Sequence, residues 1–73
     1  MSKSIKISFN EDIRRRPIPE KTTIADLVNI ASELFAIPPE RVAISHNGSI
    51  INSNEQIFKI LTEEGTPRFT VTG

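Results

Sequence analysis

Few side chains in this chain could do chemistry. His46 is the single histidine, and there is no cysteine. A histidine can act as general base toward a hydroxyl nucleophile, and Ser45 lies beside His46 with Ser49 just beyond. No third group stands at a recognisable spacing to orient such a pair. Glu11-Asp12 and Glu63-Glu64 are adjacent acids without the geometry of a catalytic pair. Asn10, Glu11 and Asp12 lack the glycine and the ligand spacing of a calcium loop. One histidine without cysteine excludes a Cys/His zinc site. The 3 glycines fall in no phosphate-binding pattern. The residues therefore predict no enzyme, no catalytic residue, no metal and no cofactor. Arg14-Arg15-Arg16 could meet an acidic partner or nucleic acid. With Glu11, Asp12 and Glu20 close in sequence, the run reads instead as a solvated, locally neutralised segment.

Composition narrows the classes further. The 73 residues make one small domain, spanning 1–73, with 37% hydrophobic and 25% charged residues, the balance of a soluble globular protein. Lysine plus arginine is 9 and aspartate plus glutamate is 9. A net charge of zero argues against a general nucleic-acid binder. No apolar run approaches the ~20 residues of a membrane span. The stretch from Met1 to Asn10 alternates, where a signal peptide would be continuously apolar. The expectation is a soluble intracellular monomer, cytoplasmic with access to the nucleus, and without disulfides.

These residues need elements to hold them. Ile5, Ile7 and Phe9 alternate with Lys6 and Ser8 and predict a half-buried strand. After a polar turn at Asn10–Asp12, the segment Arg14–Pro19 is extended, and Pro17 and Pro19 place it at a sheet edge. Thr23 with Asp26 resembles a capping box, and Ile24, Leu27, Val28, Ala31, Leu34 and Phe35 form one helical stripe. The helix is predicted from about Thr23 to Ala36, ended by Ile37-Pro38-Pro39. Val42–Ser45 and Ile50-Ile51 read as short strands joined by a turn at Asn47-Gly48. Asn52–Glu55 reads as loop, and Gln56–Leu61 as a single helical turn beneath the core. Arg68–Thr72 alternates again, with Phe69 and Val71 inward. The expected core is Ile5, Ile7, Leu27, Val28, Ala31, Phe35, Ile44, Leu61, Phe69 and Val71. Strand pairs around one main helix make an α+β fold, and two apolar strands at the chain ends belong side by side, parallel, at its centre. That is a ubiquitin-like β-grasp: a mixed sheet of four or five strands on one main helix.

The sequence also resembles a family. Ile37-Pro38-Pro39-Glu40 looks like the Ile-Pro-Pro-Asp that follows the long helix of ubiquitin. Over nearly the whole chain the resemblance is closer to the ubiquitin-fold modifiers, the tags of the ufmylation pathway. Met1-Ser2-Lys3 matches their opening, and Ile18-Pro19-Glu20-Lys21-Thr22 stands where they carry Val-Pro-Glu-x-Thr. Ala31, Phe35 and Pro38 match their helix. His46-Asn47-Gly48-Ser49-Ile50-Ile51-Asn52 resembles their Asn-Asp-Gly-x-x-Ile-Asn hairpin, and Glu63-Glu64-Gly65-Thr66 their Lys-His-Gly-Ser.

The resemblance implies a protein modifier. Its terminal glycine, here Gly73, would be adenylated, passed to a cysteine as a thioester and joined to a target lysine. Activating (E1-like) enzymes, conjugating (E2-like) enzymes and target proteins would be the partners. Ile18 and Pro19 at the edge and Leu27 on the helix flank would be the partner-binding residues. Two departures stand against this. Gly73 follows the strand directly where the family has a longer tail, and Thr72 and Gly73 alone reach only ~7 Å. Glu63 stands where the family has its chain-forming lysine. The alternative is a non-covalent ubiquitin-like binding module. A sulfur carrier of the same fold would need Gly-Gly, where this chain has Thr72-Gly73.

Overall fold

A computed structural model describes residues 2–73. Met1, part of the opening matched above, lies outside the described residues. Alternation becomes two long strands, β1 (Ser2–Phe9) and β2 (Asp12–Pro19), joined through a tight turn with Asn10 at φ 56°. Both strands are longer than the apolar pattern predicts, because polar residues beyond it still pair: Ser2 with Pro19 and Asp12 with Phe9.

Helix α1 (Ile24–Phe35) begins at the predicted cap. Thr23 accepts from the Asp26 amide at 3.2 Å, and Asp26 accepts from the Thr23 amide at 3.1 Å, satisfying two amides that have no partner within the helix. It ends at Ala36, held left-handed at φ 55°. Pro38 and Pro39 then prevent continuation, and a 3₁₀ turn at Pro39–Arg41 leads into β3 (Ala43–His46). Asn47 and Gly48 both take positive φ, the conformation a two-residue hairpin turn requires, and β4 (Ser49–Ile50) returns along β3.

Helix α2 (Asn54–Glu63) corrects the sequence reading of a polar loop and one helical turn. It has 10 residues and starts inside the stretch predicted as loop. Its start is fixed by a second capping box, Ser53 with Gln56. That Ser-x-x-Gln spacing was in the sequence, but the polar run Asn52–Glu55 hid it. Strand β5 (Arg68–Thr72) closes the sheet.

The order is β2-β1-β5-β3-β4. β1 and β5 lie parallel at the centre, as expected, with β2 and β4 at the edges. Ile5, Ile7, Phe69, Val71 and Ile44 point from the sheet to Leu27 and Ala31 of α1 and to Ile57 and Leu61 of α2. Val28 and Phe35 are only partly buried, packing on the rim of the core. Ile18, Ile37 and Ile51 are buried in it although the pattern had not placed them there, and Ile57 plugs it from the predicted turn Gln56–Leu61. The architecture is the expected α+β β-grasp, with five strands and a second helix.

Candidate functional site

The residues singled out in the sequence separate in space. Ile18 is 1% exposed and Leu27 is 1% exposed. Ile18 lies opposite Lys3, so it shares the inner face with Ile5 and Ile7. The Lys3 ammonium reaches across to donate to the Leu61 carbonyl at the end of α2. The side chains of Ile18 and Leu27 pack in the core, so a partner would meet Ile18 through the backbone of the β2 edge and not through its side chain. Pro19 is exposed, and β2 is an edge strand as the prolines imply.

Gly73 follows β5 but does not stand free of the domain. A Cβ on it would lie 2.8 Å from Ile37 Cγ2 and 3.0 Å from the Arg41 carbonyl oxygen. His46 Nε2 meets Glu64 Oε2 at 2.5 Å, and its ring tilts against Phe69 with centroids 5.8 Å apart. The imidazole thus ties β3 to the end of α2, while the Ser45 hydroxyl turns to the Thr70 carbonyl. A groove of about 240 Å³ between the β3–β4 turn and α2 is lined by His46, Ser49, Ile51, Gln56, Lys59 and Ile60. Among the described residues no group of three or more acids and histidines is placed to hold a metal. Among the described residues no helix is long and apolar enough to cross a membrane.

In the arginine run, the local neutralisation read from the sequence is present at Arg14. Asp12 accepts from Arg14 at both carboxylate oxygens, at 2.8 and 3.1 Å. That hydrogen-bonded guanidinium holds the Asp12 carboxyl below its ordinary value and raises Arg14 in turn. Arg15 and Arg16 form no ion pair among the described residues. Alternation puts Arg15 on the open face of the sheet, away from the helices. There it stands opposite Lys6 of β1, and Lys6 stands opposite Arg68 of β5. Three cations therefore cross three neighbouring strands in one rung. The other strand positions of this face on β1, β2 and β5 are Ser2, Ser4, Ser8, Ile13, Pro17, Pro19, Thr70 and Thr72, without a carboxylate. Lys6 and Arg68 were not singled out in the sequence. Their distance in the chain hides the rung, which exists only through the pairing of β1 with β5.

No family model and no curated protein matches the sequence. Solved structures match over the whole domain. The AtNBR1 PB1 domain superposes with a TM-score of 0.84 at 13% identity, covering 99% of this chain and 97% of that one. A ubiquitin of Caldiarchaeum subterraneum gives 0.79 at 14% identity, covering 97% and 91%. A ubiquitin-like domain of an Arabidopsis thaliana protein gives 0.77 at 10% identity, covering 97% and 76%. Nothing in these likenesses points to the ufmylation modifiers in particular; what they establish, with the sheet order and the central parallel pair, is that this chain has the ubiquitin-like fold.

Proposed function

We propose that the chain is a non-covalent ubiquitin-like binding module that takes an acidic protein segment on the open face of its sheet. The rung Arg15–Lys6–Arg68 carries this reading. Like charges directly opposite on neighbouring strands destabilise a sheet, so three in a row oppose folding and favour a ligand that neutralises them. Within the strands β1 and β2 the one acid is Asp12, and it is engaged by Arg14. The AtNBR1 PB1 domain, which shares the fold, is also found as a filament, so a domain of this shape can assemble with other protein chains.

Titration of the isotopically labelled chain with a glutamate-rich peptide tests the reading. The amides of β1, β2 and β5 are expected to shift, with affinity falling as salt screens the rung. Shifts that ignore Lys6→Glu, or no binding at all, would overturn it.

The covalent reading, a ufmylation-type modifier joined through Gly73 to target lysines by activating and conjugating enzymes, draws its support from the sequence resemblance and from the glycine itself. The glycine also has a packing reason, since a side chain there would collide with Ile37. Incubation with ATP and a ufmylation-type activating enzyme decides the matter: a reducible thioester supports the modifier, and its absence beside a working family modifier removes it.

A further inference from the structure

We infer that the acidic segment bound by this face is an amphipathic helix lying across the strands; this rests on the binding-module reading above. The orientation follows from how the cations are distributed. Along β1 the open face carries Ser2, Ser4, Lys6 and Ser8; along β2 it carries Ile13, Arg15, Pro17 and Pro19; along β5 it carries Arg68, Thr70 and Thr72. A ligand running parallel to any of these strands meets one cation. A ligand running across them meets all three.

The spacing selects the conformation. Neighbouring strands are ~4.8 Å apart, so the rung is ~10 Å long. Acids at i, i+3 or i+4, and i+7 of a helix lie on one side and span ~10.5 Å. An extended chain presents same-side residues ~6.7 Å apart, and three of them overshoot the rung by several ångström.

The adjacent rung supplies a bed for the rest of such a helix. Register runs unbroken from Ile13 to Ser8, Thr70, Ser45 and Ile50, through all five strands. The middle three are small hydroxyl residues, with Ser8 only 2% exposed at the floor. The two ends are isoleucines with 51% and 67% of their surface open, Ile13 and Ile50. Four strand gaps span ~19 Å, the length of a helix of ~13 residues. A helix with acids on one side and apolar residues near both ends would set its charges on the cation rung and its ends on Ile13 and Ile50.

The test compares two synthetic peptides of ~14 residues and equal composition against the full chain. One carries glutamates at i, i+4 and i+7 with leucines near its ends. The other carries them at alternate positions around a central proline that forbids a helix. The helical peptide is expected to bind at least about tenfold tighter, to gain helical circular dichroism on binding, and to shift amides from β2 through to Ile50. The double variant Ile13→Ser, Ile50→Ser should weaken the helical peptide severalfold and leave the other unchanged. Lys6→Thr, which keeps a strand-forming residue, should weaken both. Equal affinities that still depend on Lys6 would overturn the helix and leave the acidic-ligand reading standing. Failure of both peptides to bind would overturn both readings.

Discussion

Gly73 lies against Ile37, so closely that a Cβ on the glycine would come within 2.8 Å of the isoleucine Cγ2. The contact joins the end of the central strand β5 to the segment that follows α1. Gly73→Val must displace either Ile37 or the strand end. Since Gly73 is exposed, the strand end gives way more easily than the core. The expected outcome is faster amide exchange at Val71 and Thr72 with little change in Tm. Unchanged exchange would show that the glycine is not held there.

Lys6 stands between Arg15 and Arg68 on an open face whose strand positions carry no acid. Replacing it with threonine removes two repulsive cross-strand pairs and introduces a good strand former. Lys6→Thr is expected to raise stability by about 0.2–1 kcal/mol while weakening an acidic peptide about tenfold or more. Denaturant midpoints and peptide titration read the two effects separately. A loss of stability would mean that Lys6 contributes more through packing of its chain than its charge opposes.

Ile18 and Leu27 meet the core from opposite layers, one from the edge strand and one from α1. Ile18→Ala and Leu27→Ala are each expected to lose about 2–5 kcal/mol in denaturant unfolding. That is a large part of the ~5–15 kcal/mol a domain possesses. Near wild-type stability for Ile18→Ala would restore it as a surface residue.

Asp12 is held below its ordinary value of 3.8 by its hydrogen bonds from Arg14. A depressed carboxylate stabilises the fold above its unfolded value and loses that contribution as pH falls through the folded one. The pair lies exposed at the surface, so the effect is screened by salt. A carboxyl-carbon titration by NMR should give an Asp12 midpoint below 3.8, moving up toward it in Arg14→Gln. A midpoint insensitive to Arg14 would mean that the pair does not persist in solution.

The sequence by itself determined the elements whose signals are local. The period of two in Ile5–Phe9 and in Phe69–Val71, the Thr23–Asp26 cap and the Asn47-Gly48 turn depend only on near neighbours, and all four appear where the pattern puts them. Helix α2 was legible through Ser53 and Gln56, but its polar first turn imitates a loop because half of a surface helix faces water. Tertiary structure decided what depends on residues far apart in the chain. Ile18 reads as an edge residue beside prolines, yet it is buried because pairing opposite Lys3 turns it inward under the helices. The cation rung has the same origin: Lys6 and Arg68 are 62 positions apart in the chain and become neighbours only when β5 inserts beside β1. A pleated strand fixes which face each residue takes, but the partner across the ladder is set by the register of the folded sheet.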